Sequence, residues 1–297
     1  MSETIRRVDE RLGLAVRRVS LSGRSLVTYA RDHVTVRTPS RPDFRDGNTL
    51  DLLEPPMPDD LARWVARFEE TIGILGADRV RVRWEVPLSS EAPSAAPVPD
   101  DDLLAAATAV GLALEPTTVL LLHDLVEPPL APVAIAPVPP PSVIDPQPTD
   151  RRWHAATVLY RYDGEDTGDP DAWRTWDEEF VAWSVDVQRE LAAAERAQVW
   201  VAQRHGGPVG RATLVHDRQG LGAVEDVIVH PVHRGLGIAA ALVHTAVRAQ
   251  RHLEPDLRIG LGADPGSRAE RIYRRLGFVP HATVWSASRS SRKSSTP

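Results

Sequence analysis

Apolar residues recur along the second half of the chain with two periods, and each change of period marks a new element. Alternation with β-branched residues predicts strands, whereas apolar residues three or four positions apart predict helices. The predicted order is a strand near residue 143, two helices, three antiparallel strands, and then helix, strand, helix and strand. After the first strand these are helices 150–160 and 171–195, strands 198–204, 209–215 and 224–229, a helix from about 239, strand 257–261, a helix ending before Gly277, and strand 282–285.

The first half of the chain contains a similar succession of elements. They are a hairpin of strands 25–29 and 33–37, strand 49–53, helix 60–68 with Asp59 as its N-cap, strand 79–86, helix 100–110 and strand 117–122. Strand 79–86 is predicted to be half-buried, because valines and Trp84 alternate with charged residues. Both halves run strand, proline, helix, strand, helix, glycine and strand, which we interpret as an internal duplication. An unrelated α+β domain in the first half is the alternative.

Prolines concentrate between Glu127 and Pro148 and favour an extended, semi-rigid connection there. The sequence therefore predicts an N-terminal domain over residues 1–126, a linker over 127–140, a second domain over 141–287 and a tail over 288–297.

Composition narrows the classes of function. The formal net charge of −6 argues against non-specific binding to nucleic acid, because no surplus of cations exists to displace counterions. The start of the chain lacks the apolar core of a signal peptide, and proline interrupts the longest uncharged stretch, so we expect a cytoplasmic protein without a membrane span. His216, His230, His233 and His244 show no metal-ligand spacing, and we predict no metal.

The most informative stretch follows strand 224–229. Pro231 ends that strand, and a turn with two glycines then leads into a helix. Amides at a helix N-terminus are unpaired and lie at the positive end of the helix dipole, and glycine lets an anion approach them. The stretch predicts a phosphate-binding turn formed by Arg234, Gly235, Leu236, Gly237, Ile238 and Ala239.

The spacing Arg234-x-x-Gly237-x-Ala239 resembles the pyrophosphate loop of the GNAT superfamily of N-acetyltransferases. Further along, Ala269-x-x-x-Tyr273-x-x-x-Gly277-Phe278 resembles the end of that family's last helix. The resemblance implies a mixed α/β (α+β) fold, with a mostly antiparallel sheet flanked by helices, in two tandem copies. The N-terminal copy is degenerate, because residues 56–60, PMPDD, replace the glycine turn and place two carboxylates where a pyrophosphate would lie.

The resemblance also implies acetyl-CoA as cosubstrate. In this family the strand before the loop splays from its neighbour and pairs with the pantetheine arm, which assigns that role to the backbone of Val227, Ile228 and Val229. Asp264 falls where many members carry an asparagine that contacts the same arm.

Acyl transfer to an amine requires a proton acceptor and a group that stabilises the departing thiolate. Glu225 is the first candidate for the base, with Asp226 or water as the alternatives; strict alternation would place these two carboxylates on opposite faces. Tyr273 is the candidate acid. Because the chain has no cysteine, a cysteinyl acyl-enzyme is excluded and direct attack in a ternary complex is favoured.

The acceptor is either a small-molecule amine or a protein amine. An aromatic stripe on the long predicted helix, and an acidic loop at 163–169, could contact it, but a stripe of this kind more often packs in the core. The stripe comprises Trp173, Trp176, Phe180 and Trp183. An acyl-CoA-binding regulatory module without catalysis is the alternative to an N-acetyltransferase.

Overall fold

The computed structural model describes residues 11–19, 21, 23–77, 79–88, 99–141, 151–162 and 178–290. Over these residues the chain divides into two compact units. The first contains the described residues up to Leu120, together with Gly262–Glu270 and those from Pro280 onwards; the second contains Leu121–Leu261 and Arg271–Val279.

Eleven strands and seven α-helices follow one another along the described residues. The strands are β1 Leu26–Tyr29, β2 His33–Arg37, β3 Thr49–Leu52, β4 Arg79–Pro87, β5 Ala113–Leu122, β6 Ala134–Pro137, β7 Ala197–Arg204, β8 Gly207–His216, β9 Leu221–Val229, β10 Arg258–Ala263 and β11 Phe278–Ser290. The helices are α1 Leu12–Val19, α2 Leu61–Thr71, α3 Asp101–Ala109, α4 Arg151–Leu159, α5 Glu178–Ala193, α6 Ile238–Leu253 and α7 Arg268–Arg275.

The sheet of the first unit has the order β1-β2-β3-β4-β11-β5. The predicted hairpin β1–β2 is present, and β3 and β4 are parallel. β11 pairs antiparallel with β4 along nine residues, from Ala282 opposite Pro87 to Ser290 opposite Arg79. The last strand that the structure describes, β11, therefore belongs to the sheet of the first unit.

The core of the first unit lies between this sheet and the apolar faces of its helices. Leu61, Trp64, Val65 and Phe68 of α2 recur at helical spacing and pack against Trp84. Asp59 is not the cap that the sequence predicted, because a 3₁₀ turn occupies Pro58–Asp60 and α2 begins at Leu61. Asp100 does cap α3, since its side chain accepts a hydrogen bond from the Leu103 amide.

Strand β4 is buried on both faces, which corrects the half-buried strand expected from its alternation. Arg83 and Glu85 are each 1% exposed. Asp51 on the neighbouring strand pairs with the Arg83 guanidinium at 2.7 and 3.0 Å. Glu85 accepts a hydrogen bond from the Leu14 amide in the first turn of α1. These partners make the burial of the charges possible.

The sheet of the second unit has the order β10-β9-β8-β7-β6, antiparallel except for the β9–β10 pair. One face packs against α4 and α5 around Trp153, Val185 and Val201, and the other packs against α6 around Ile238 and Leu242. β6 lies inside the segment predicted as a linker, where Ala134–Pro137 pairs with β7. The strand expected near residue 143 lies outside the described residues. The mixed, mostly antiparallel fold with flanking helices is confirmed, while the domain boundaries stay predictions.

Candidate functional site

Strand β9 is only partly paired with its parallel neighbour. The β9–β10 ladder joins Leu221 to Arg258, Gly222 to Ile259 and Ala223 to Gly260, and among the described residues it extends no further. On its other side β9 remains paired with β8 as far as Val229, opposite Gly210. The backbone from Val224 to Val229 is thus outside the β10 ladder. By contrast, the β3–β4 ladder of the first unit extends to Leu52, the last residue of β3.

The turn after β9 has the geometry that its glycines predicted. A 3₁₀ turn over Pro231–His233 is followed by Gly235 and Gly237 with φ of 85° and 79°, in the left-handed region that favours glycine. Gly237 is the N-cap of α6, and no side chain caps the helix there. Gly235, Leu236 and Gly237 are exposed. The amides at this end of α6 are therefore accessible to a ligand.

Two side chains anchor this turn to the sheet. Ile238 is 1% exposed and packs with Val209 and Leu242 in the core beneath α6, while Ala239 is half-buried. The Nε atom of Arg234 donates to the Val229 carbonyl at 3.3 Å. Val227 and Val229 pack on the face of the sheet that contacts α6, and Ile228 packs on the opposite face against α4 and α5.

A β-bulge interrupts β9 at the two candidate carboxylates. Asp226 has φ of 47°, and the register with β8 shifts so that Arg211 lies opposite Ile228 and Thr213 opposite Glu225. Cross-strand partners share a face, so Glu225 lies on the face of Thr213, where the Asp226 carboxylate also makes its contacts. The expectation that Glu225 and Asp226 lie on opposite faces is corrected, because the extra residue of the bulge breaks the alternation.

Asp226 belongs to a polar cluster between β8, β9 and the two helices that pack on this face. Its Oδ2 atom accepts from the Tyr160 hydroxyl at 2.7 Å and from Gln188 Nε2 at 2.5 Å. Arg211 Nη2 lies 3.5 Å from the same oxygen and donates to Gln188 Oε1 at 2.7 Å and to Thr213 Oγ1 at 2.9 Å. Gln188, Arg211 and Thr213 are fully buried.

Sequence reasoning missed this cluster and one packing residue beside it. The residues that hold Asp226 are far apart in the chain, and the local signal is Arg211, the one arginine in strand β8. Gly210 permits close packing of β8, because an added Cβ would lie 3.1 Å from the Ile228 carbonyl and from side chains of Ile238 and Leu242.

Tyr273 is a buried residue of α7, 6% exposed, with its ring 6.3 Å from that of Phe278. Burial raises the pKa of Tyr273 to about 12. The phenol therefore stays protonated at neutral pH and is a weaker acid than the free side chain.

Asp264 follows β10, is exposed and belongs to the first unit, whereas the other predicted site residues belong to the second. Its carbonyl accepts a hydrogen bond from the Ser267 amide at 3.1 Å.

The aromatic stripe is described only in part. Phe180 and Trp183 are half-buried with ring centroids 5.7 Å apart, while Trp173 and Trp176 lie outside the described residues, as does the acidic loop.

The ring of His230 lies 4.2 Å from that of Tyr162 and 5.5 Å from that of His233. Burial, together with the charges of His233 and Arg234, lowers the pKa of His230 and favours its neutral form. Within the part of the chain that the structure describes, no group of three or more histidines and carboxylates could hold a metal.

Comparisons with known proteins concern the domain family and the fold. Residues 195–280 match the family model described as an acetyltransferase (GNAT) domain. No curated protein matches the sequence. No helix among the described residues is both long and apolar enough to cross a membrane.

Solved structures share the fold along nearly the whole chain. A conserved protein of unknown function from Staphylococcus epidermidis is 12% identical with a TM-score of 0.63, covering 89% of this chain and 93% of its own. A GCN5-related N-acetyltransferase from Kribbella flavida is 18% identical with a TM-score of 0.57, covering 93% and 95%. A tandem GNAT protein from the clavulanic acid biosynthesis pathway is 14% identical with a TM-score of 0.54, covering 98% and 96%. At these identities the likeness concerns the fold alone.

Proposed function

We propose that this chain transfers an acetyl group from acetyl-CoA to an amine. The match of residues 195–280 to the acetyltransferase (GNAT) domain model supports the proposal. The acceptor attacks the thioester directly, in a ternary complex. The observation that carries the proposal is the continuous binding surface of the second unit, where the open edge of β9 leads into the exposed glycine turn of α6.

This surface suits the two parts of the cosubstrate. The N-terminal amides of α6 and the Arg234 side chain offer hydrogen bonds and positive charge to a pyrophosphate. The N–H and C=O groups of Val227–Val229 offer strand-like pairing to the amides of a pantetheine arm. From Val229 back to Glu225, the strand covers roughly 13 Å at about 3.3 Å per residue, a length comparable to that of an extended arm. The thioester would then lie beside the bulge.

The bulge region supplies the groups that acyl transfer needs. A β9 amide near the thioester carbonyl acts as the oxyanion donor, a contribution typically of about 3 kcal/mol. Glu225 is the proposed base, with Asp226 or water as the other candidates. The corresponding strand and turn of the first unit, as far as the structure describes that unit, do not repeat this surface, since the β3–β4 ladder is closed and the 3₁₀ turn carries Asp59 and Asp60.

Tyr273 is proposed to stabilise the departing sulfur as a hydrogen-bond donor. With a pKa of about 12, complete proton transfer to a thiolate of ordinary pKa near 8.5 would be uphill by about 5 kcal/mol. A hydrogen bond from a protonated phenol to the developing charge avoids that cost. The high pKa also keeps the alternative open, in which the second unit binds acyl-CoA as a regulatory module and does not turn it over.

Binding is tested by calorimetric titration of acetyl-CoA into the wild type and two glycine variants. Gly237→Ala adds a Cβ at the turn, and we expect it to weaken binding by about tenfold or more, or ~1.4 kcal/mol. Gly206→Ala is the matched control, because Gly206 has a similar φ of 82° in an exposed turn of the same unit with nothing within 4 Å of an added Cβ. Equal affinities for the two variants would contradict the proposed binding surface.

Catalysis is tested by thiol release from acetyl-CoA with a panel of small amines and lysine peptides. We expect turnover with at least one class of amine and a reduced kcat in Tyr273→Phe. Tight binding of acetyl-CoA without turnover by any amine would favour the regulatory module.

A further inference from the structure

Residues 126–133, hereafter the strap, lie beside the glycine turn of the second unit. The Cβ of Ala131 is 3.9 Å from the position that a Cβ on Gly237 would occupy, so the two residues are close neighbours. Gly237 is the N-cap of α6. The strap therefore borders the amides that are proposed to bind the diphosphate of acetyl-CoA.

Both ends of the strap are attached to the second unit, and its middle is stiff. The Val126 amide donates to the Leu276 carbonyl at 3.0 Å, and Val133 packs in the core beneath α6. The Val133 amide also donates to the Ala131 carbonyl at 2.8 Å, which closes a tight three-residue turn. Prolines at positions 128, 129 and 132 fix φ at about −65° and leave few conformations to the chain between these attachments.

Leu130 is exposed on this stiff segment. Its side chain is 99% exposed, so it contributes no hydrophobic stabilisation to the fold. Because it directly precedes Ala131, its Cα lies about 3.8 Å from that of the residue at the turn. The strap thus holds a large apolar side chain in water next to the N-terminus of α6.

Two exposed apolar residues of the turn accompany Leu130. Val232 in the 3₁₀ turn is 76% exposed, and Leu236, between the two glycines, is 37% exposed. A single exposed apolar residue is common on a protein surface. Apolar residues grouped around a few placed polar groups are instead typical of a small-molecule site. The polar groups here are the N-terminal amides of α6.

The position of the strap indicates which part of the cosubstrate it meets. In acetyl-CoA the diphosphate joins the pantetheine arm to adenosine. The arm is proposed to follow β9 on the side of β10, whereas the strap leads from Ala131 into β6, at the opposite edge of this unit's sheet. With the diphosphate at the turn, the strap is therefore beside the adenosine end of the molecule.

We propose that the strap forms the outer wall of the cosubstrate site and that Leu130 packs on the adenosine of acetyl-CoA. This inference rests on the proposed function and adds a binding residue to it. Leu130 lies outside residues 195–280, which match the family model, so this contact is an addition to the matched domain. Ala131 is small, which leaves the amides at Gly237 open to the diphosphate.

The test measures the Kd of two ligands by calorimetric titration. One is acetyl-CoA, and the other is acetyl-4′-phosphopantetheine, which keeps a phosphate for the turn but lacks adenosine. We expect Leu130→Ala to raise the Kd of acetyl-CoA roughly 5- to 20-fold, as when about 40–70 Å² of apolar contact surface is lost, and to leave that of acetyl-4′-phosphopantetheine unchanged. Leu253→Ala is the matched control, because Leu253 is 73% exposed at the far end of α6, roughly 24 Å from the turn at about 1.5 Å per residue, and should change neither Kd.

A second variant tests the position of the strap. Ala131→Phe places a large side chain against Gly237, so it should weaken the binding of both ligands by a similar factor. Unchanged affinity for acetyl-CoA in Leu130→Ala, or an equal loss for the two ligands in that variant, would overturn the contact with adenosine. Unchanged affinities in Ala131→Phe would overturn the strap as a wall of the site. Failure of the wild type to bind acetyl-CoA would instead refute the proposed function itself.

Discussion

Replacement of Gly277 by alanine should destabilise the second unit strongly, for two separate reasons. The residue has φ of 92°, which costs an L-amino acid about 1–2 kcal/mol. An added Cβ would also lie 1.6 Å from the carbonyl oxygen of Asp124, so the backbone there must move. That movement would weaken two backbone hydrogen bonds, each of 3.0 Å. In one the His123 amide donates to the Gly277 carbonyl, and in the other the Val126 amide donates to the Leu276 carbonyl.

Each backbone hydrogen bond contributes about 0.5–1.5 kcal/mol. A Gly→Ala change also lowers the conformational entropy of the unfolded chain, which offsets the destabilisation by about 0.4–1 kcal/mol. We therefore expect Gly277→Ala to lower the free energy of unfolding by about 2–4 kcal/mol. Gly111 is the matched control because it follows α3 as Gly277 follows α7, has φ of 72°, and has nothing within 4 Å of an added Cβ. Gly111→Ala should cost about 1 kcal/mol, from backbone strain alone.

Urea unfolding followed by tryptophan fluorescence gives the two changes in free energy. Hydrogen-exchange mass spectrometry of peptides around residues 111 and 277 then shows in which unit each change falls. Equal destabilisation by the two substitutions would refute the reasoning, since it would mean that the contact with Asp124 adds nothing to the strain.

Two further predictions concern buried ionisable groups. The pKa of Tyr273 is about 12 in the folded chain and 10.0 ordinarily. The stability that the neutral phenol contributes to the folded chain is therefore complete below pH 10 and is lost as the pH rises to 12. At about 1.4 kcal/mol per pH unit this loss approaches ~3 kcal/mol, and a Tyr273→Phe variant should unfold with a correspondingly shallower alkaline dependence in urea titrations. Burial alone would raise the pKa of Asp51, but the charges of Arg83 and Arg18 outweigh it and hold that pKa below its ordinary value. The stability that Asp51 provides is therefore present at neutral pH and lost on acidification below about pH 4. Asp51→Asn should lower the free energy of unfolding by about 3–5 kcal/mol at pH 7 and reduce the loss of stability at acidic pH.

The sequence by itself determined the parts of this protein whose physics is local. Pro231 ends a strand because it lacks an amide donor, and Gly235 and Gly237 are required by positive φ values that depend on neighbouring residues alone. The amphipathic spacing of α2 likewise predicted its buried face. These signals were sufficient to predict the glycine turn and the order of elements around it.

Only the tertiary structure decided which groups meet. The open edge of β9 depends on how far the β10 ladder extends, and the bulge at Asp226 depends on partners in β8, α5 and the turn at Tyr160. The pairing of β11 with β4 and the burial of Arg83 likewise join residues far apart in the chain. Hydrogen bonds and ion pairs of this kind stabilise a site only when folding brings both partners together, so neither partner's local sequence records them.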